Sequence, residues 1–352
     1  MIYRQKCKSV PQVHEPMDTL FELIDSETKI DDVSFVLKDH MYDGSERLVI
    51  MSTFNLMFLL GNADYWMLDS IPITSQAIFK YLHTLHGNIV TDKQITFPLL
   101  FCMSTQKSQH FYDKMFNIIK DCASENKLRL CPQICVVDFD ADVILSLHTS
   151  HQGIQLHGCN FHLRYRLFRK LHSLNFEKKL ATDINFNLEM KCLLALSHLT
   201  SEEIPRYFKK LQENLQDADS TQVSQWFATE YIFGGEDITN FPPQFWSHKP
   251  HVNIPSCQDC AEAWHHQIKM FITKQHPGFY RLTKKLIKET LHHIHDIQKI
   301  MTEPPPSPPQ KRPRRRKKKT AGLSSRIDSI LDKKNDMSEL DVLKSIAKLL
   351  RL

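Results

Sequence analysis

Glycine is scarce, at nine residues in 352, which excludes collagen-like repeats and glycine-rich low complexity. Long apolar runs are missing too. None approaches the ~18 residues a membrane helix needs, so no membrane partner is expected. The N-terminal stretch MIYRQKCKSVPQVHEP has no apolar signal core, so secretion is not expected. A disulfide framework is also missing. Nine cysteines form an odd count at irregular spacing and read as reduced thiols of the cytosol or nucleus. What is present, 41% hydrophobic and 24% charged residues, suffices for one large or two smaller folded units.

A net positive balance is lacking from the body of the chain. The net charge is +5, from 45 Lys and Arg against 40 Asp and Glu. Eight of the positives lie in one nine-residue run: Lys311, Arg312, Arg314, Arg315, Arg316, Lys317, Lys318 and Lys319. Without them, 37 basic residues face 40 acidic ones, a balance of −3. Net charge therefore gives no argument that the folded part binds nucleic acid. The run itself reads as a nuclear-localisation signal or a loose DNA-contact arm. It follows EPPPSPPQ (Glu303–Gln310), whose prolines cannot continue a helix or a ladder. Beyond it, Ile327, Ile330, Leu331, Leu340, Leu343, Ile346, Leu349 and Leu350 sit near helical spacing and suggest short amphipathic helices for a partner.

Between about residues 30 and 300 the pattern alternates. Residues 47–51, 65–68, 77–86 and 95–103 are strand-like, with a capped helix expected from 52 to 60. A helical face spans 109–120, an apolar strand 134–137, a helix 141–148, a short strand 154–156 and a basic amphipathic helix 161–174. From Phe176 to about Ile232 nearly everything reads as helix. Three leading strands followed by βα units describe an α/β fold of RNase H-like type: a mixed sheet flanked by helices. The expected organisation is an N-terminal segment 1–40, a core 41–175, an all-α insertion 176–250, last core helices 251–300, a Pro-rich and basic, disordered linker 301–322, and helices 323–352.

Three carboxylates stand out. Asp69 ends the first strand of this core and Asp138 the fourth, where an open α/β sheet forms its ligand crevice. Glu262 lies on a helix with Ala261, Trp264, Ile268 and Phe271 near one face, which could aim it at the aspartates. Carboxylate oxygens suit Mg²⁺, and two such ions stabilise the attacking and leaving oxygens of phosphoryl transfer. The ordinary alternative is a turn or cap aspartate and a solvated glutamate. Cys159 and His162 share a helix face at i and i+3. A zinc site there would need two further ligands, with Cys257/Cys260 or Cys131/Cys135 the available pairs, and no complete finger spacing exists. The default for these cysteines is apolar packing. Arg164, Arg166, Arg169 and Lys170 on the following helix are candidate DNA-backbone contacts, or else a solvated face. His292, His293 and His295 read as surface residues.

Four blocks in order resemble the Mutator-like (MULE) transposase family. Residues 45–88 resemble its opening strand, helix and Asp-Gly-Thr-Phe strand; VVDFDADVILSL (Val136–Leu147) resembles its Asp-Phe-Glu-x-Ala motif. HGCNFHLRYRLFRKL (His157–Leu171) resembles its Gly-Cys-x-Phe-His block, and CQDCAEAWHHQIK (Cys257–Lys269) its Asn-Asn-x-x-Glu-Gly-Trp-His segment. The resemblance covers about residues 40–280. It implies a DDE transposase of RNase H-like fold that binds two Mg²⁺ or Mn²⁺ ions through Asp69, Asp138 and Glu262. Cys159, His162 and His265 would support the site. DNA, as transposon ends and target, would be the substrate, in the nucleus and with a homodimer as a further expectation. The chain departs from the family at Ser70, Ile71 and Pro72 after the first Asp, at Asp140 for Glu, and at Gln258 and Asp259 for the paired Asn. Residues 1–68 show no zinc-binding spacing, Cys7 standing alone, so the family's recognition module is not expected among them. A catalytically decayed or domesticated copy, acting as a nuclear DNA- or protein-binding factor, is the rival expectation.

Overall fold

The computed structural model describes residues 22–302 and 322–352, apart from 31, 43–45, 74–77, 90–94, 216, 234–240, 249–257 and 351. The basic run 311–319, Cys7 and Cys257 lie outside the described residues.

A short hairpin, β1 (Lys29–Ile30) and β2 (Val33–Ser34), precedes a seven-stranded sheet. Its strands are β3 (Val36–Tyr42), β4 (Glu46–Met51), β5 (Tyr65–Pro72), β6 (Tyr81–Ile89), β7 (Ile95–Ser104), β8 (Ile134–Val137) and β9 (Gln155–Gly158). They lie in the order β3-β4-β7-β6-β5-β8-β9. The first five are joined antiparallel, whereas β5–β8 and β8–β9 are parallel. The expected mixed sheet is thus present, enlarged by β3, which pairs with β4 at its outer edge. That strand was not read from the sequence. Its VLKDHMY stretch is at most half-buried and lacks the apolar run that marks its partner β4. β7 carries Pro98, which has no N–H for a ladder. The strand tolerates it at a bulge, where the register shifts between Leu85 and His86 of β6.

The first helices fall where side-chain caps allow. Thr53 accepts from Leu56 N at the start of α1 (Phe54–Gly61), and Ser108 from Phe111 N at α2 (Gln109–Glu125). Asp140 accepts from Asp142 N before α3 (Ala141–Ser150). Next come α4 (Asn160–Ser173), α5 (Glu177–Thr182), α6 (Ile184–Ala195), α7 (Ile204–Gln212), α8 (Ala218–Phe227) and α9 (Pro243–Trp246). A π-helical turn follows α8 at Ala228–Ile232. Two long helices, α10 (Gln258–Gln275) and α11 (Phe279–Thr302), precede the C-terminal α12 (Leu323–Leu331) and α13 (Glu339–Ala347).

The sheet is covered on both faces. On one, Trp66 and Leu68 of β5 join Phe111 and Phe116 of α2, Leu147 of α3 and Leu167 of α4 in the main core. On the other, Ile71, Phe101 and Met103 pack against Trp264, Ile268 and Ile272 of α10 and Leu282 and Leu286 of α11. Residues of a strand alternate between faces, so Asp69 shares the α10 side with Met67 and Ile71.

The C-terminal helices, expected to serve a partner, bury their apolar face on their own chain. Val342, Leu343, Ile346 and Ala347 are fully buried, and α13 packs on α6 and α7. Burial of each large aliphatic side chain stabilises by about 1.5–3 kcal/mol. Lys334–Glu203 and Arg206–Glu339 ion pairs flank this contact.

Candidate functional site

The site forms where β5, the start of α4 and α10 meet. Asp69 is buried on β5, the strand at the junction between the antiparallel and parallel parts of the sheet. Asp138 follows the end of β8. Met67 pairs with Val136, the last parallel pair of the two strands; Asp69 lies two residues further along β5 and Asp138 just past the end of β8. β9 ends at Gly158, and Cys159 is the N-cap residue of α4. One turn on, His162 is aimed back at β5. Glu262 and His265 stand on α10, whose Ala261, Trp264 and Ile268 are buried as the periodicity predicts.

Two histidines grip Asp69. His265 Nδ1 lies 2.5 Å from Oδ2, and His162 Nε2 lies 3.5 Å from Oδ1. All three residues are buried. Burial by itself would raise the Asp69 carboxyl, but the two facing imidazoles outweigh it and hold the group well below the usual carboxylate range. Burial likewise disfavours charge on His162. The neighbouring Cys159 and Asp69 overcome that, with a smaller contribution from Asp138, and raise its pKa well above the ordinary imidazole value. A pocket about large enough for one water molecule opens here, lined by Asp69, Cys159, Phe161, His162, Glu262 and His265 together with Met67, Leu68 and Ala261.

Of the three carboxylates expected to act together, Asp69 and Glu262 line this pocket and Asp138 does not. Asp138 is half-buried, and its Oδ1 accepts from Phe139 N at 2.6 Å. Glu262 pairs with Arg164 at 3.2 Å. Both side chains are partly exposed, so this ion pair is worth no more than about 1 kcal/mol and can be exchanged for another partner. Among the described residues, the three that bring donor atoms within 4.8 Å of one another are Asp69, His162 and His265, one carboxylate and two imidazoles.

Mg²⁺ prefers an octahedral shell of oxygens. Here Asp69 Oδ2 is taken up by an imidazole, and Glu262 is the one further carboxylate on the pocket wall. As placed, the close donors form a mixed oxygen and nitrogen set rather than the all-oxygen shell that magnesium favours. From the sequence His162 and His265 are expected only as supporting groups; spacing carries no sign that both converge on Asp69.

The basic residues of α4 divide. Arg166 is built into the fold: it donates to Tyr231 Oη at 2.7 Å and to the Phe139 carbonyl at 2.8 Å, and it pairs with Glu230. Arg164 holds Glu262. Lys170 lies over the Trp226 ring, while Arg169 is exposed. Exposed Tyr165 and Phe168 share this helix, and Lys269 of α10 lies over Tyr165. His292 and His295 are exposed as read, whereas half-buried His293 packs edge-on against Phe97. No helix of the described residues is long and apolar enough to cross a membrane. No known family profile matches the chain, and no curated protein sequence matches it.

Proposed function

We propose that this chain carries an RNase H-like domain of Mutator-like transposase descent and that it cuts DNA phosphodiesters. The observation that carries the proposal is the parallel pairing of β5 with β8, which puts Asp69 and Asp138 toward the same end of neighbouring strands, with Glu262 of α10 on the wall of the Asp69 pocket. The strand run β7-β6-β5-β8-β9, an antiparallel meander continued by parallel βα units, supports the RNase H-like assignment. Exposed Arg169, Tyr165 and Phe168 on α4 would offer charge and stacking surface to a nucleic-acid strand beside the site. A phosphodiester is an anion, so carboxylates accept it only with a cation bound among them. The basic run 311–319 would direct the protein to the nucleus.

The test is nicking of supercoiled DNA by the purified full chain, with Mg²⁺, Mn²⁺ and Zn²⁺ supplied separately. Cleavage that disappears in Asp138→Ala supports the proposal. Equal behaviour of wild type and variant sinks it. A second reading, a nuclear protein that binds DNA or protein without cutting, draws on one observation: His162 and His265 occupy Asp69. It predicts a gel shift with DNA, unchanged by Asp69→Asn, and no cleavage with any of the three cations.

A further inference from the structure

The Asp69 cluster differs in kind from an all-carboxylate site. One carboxylate and two imidazoles bring one donor atom each within 4.8 Å of the others. The His162 Nε2 to Asp69 Oδ1 separation, 3.5 Å, is too long for a good hydrogen bond. It is close to the spacing of two ligands on one tetrahedral ion: bonds of about 2.0–2.1 Å at the tetrahedral angle place donors about 3.3 Å apart. Asp69 Oδ1 is buried and accepts no hydrogen bond; it faces only the His162 ring in a long ion pair, an electrostatic demand that a bound metal ion would meet at shorter range. His265 Nδ1 faces the other carboxylate oxygen, Oδ2, at 2.5 Å, closer than two ligands of one ion sit, and would have to draw back for both to bind.

We propose that Asp69, His162 and His265 bind a single zinc-class transition-metal ion, with the pocket beside Glu262 as the open coordination position. Imidazole nitrogens favour Zn²⁺, Co²⁺ and their neighbours over Mg²⁺. Three protein ligands with a fourth position facing a pocket is the arrangement of reactive rather than purely structural zinc sites. The ligands come from three elements far apart in sequence, β5, α4 and α10, so the ion would also tie α10 to the sheet. Cys159 lines the same pocket but stands outside the group of mutually close donors. It is a wall residue in this proposal, not a ligand.

The inference does not rest on DNA cleavage, and its test uses no DNA. The chelator-stripped full chain is titrated calorimetrically with Zn²⁺ and, separately, with Mg²⁺; Co²⁺ binding is followed by its visible absorption. One Zn²⁺ or Co²⁺ per chain is expected, with Mg²⁺ silent over the same range and a rise in melting temperature with Zn²⁺. His162→Asn and His265→Ala should each weaken Zn²⁺ binding at least about tenfold. His266→Ala, one residue along on the exposed side of α10, should bind as wild type does. Absence of one-to-one Zn²⁺ or Co²⁺ binding by the wild type overturns the proposal, as does wild-type affinity in both histidine variants. If a histidine variant fails to fold by circular dichroism, Asp69→Asn, close in size to the native residue, replaces it, and wild-type affinity there is equally fatal.

Discussion

Gly158→Ala should destabilise the protein, and the structure sets the size of the effect. Gly158 ends β9 in the Gly-Cys-x-Phe-His block, and its conformation is not of the left-handed kind. The constraint is space. A Cβ there would lie 2.8 Å from Phe139 Cζ and 2.8 Å from Phe245 Cε1. Carbon atoms rest at about 3.5–4.0 Å, so both rings would have to retreat by about 0.7 Å or more. Neither is free to do so. The Phe139 carbonyl is held by Arg166, and its ring meets Tyr231, Phe241 and Phe245 edge-on. The Phe245 carbonyl accepts from His157 Nδ1 at 2.6 Å.

Overpacking of this kind costs about 1–3 kcal/mol. Loss of glycine's freedom in the unfolded chain offsets about 0.4–1 kcal/mol of it. A net loss of about 1–2 kcal/mol follows, read as a lower urea midpoint at unchanged slope. Phe245→Leu should cost stability in the wild-type background yet recover part of it beside Gly158→Ala, a coupling of at least about 0.5 kcal/mol. A Gly158→Ala protein as stable as wild type, or additive effects in the double variant, would refute the steric argument. Because Phe139 follows Asp138 directly, the same substitution should also disturb that carboxylate.

Two predictions concern the C-terminal helices. Leu343 is fully buried against the helical block, so Leu343→Ala should cost about 2–5 kcal/mol in urea unfolding; a loss below about 1 kcal/mol would mean that α13 does not dock as described. Glu203 meets Lys334 in this contact. Burial alone would raise its carboxyl, but Lys334 and Thr200 prevail and lower it. Its stabilising contribution is therefore complete above the ordinary glutamate pKa of about 4.3 and fades as pH falls through the lower folded value. Glu203→Gln should cost no more than about 1 kcal/mol at pH 7, and the difference from wild type should shrink toward pH 3 in paired melting curves. A difference that grows in acid would reverse the assigned sign.

The sequence by itself determined most of the elements and their order. Apolar runs identified β4, β7 and β8, cap-type residues at 52–53 announced α1, and periodicity found α2 and the buried face of α10. These signals are local: a strand or helix shows which face it must bury within its own few residues. It also singled out Asp69, Asp138 and Glu262 by their places on those elements. Only the tertiary structure decided what those side chains meet. Asp69 is gripped by His162 and His265, which are 93 and 196 residues away, Glu262 is held by Arg164, and α13 lies on α6 and α7. Such contacts depend on strand register and on how one helix settles over another. Periodicity names the inward face of each element, but it carries no record of which face lies opposite.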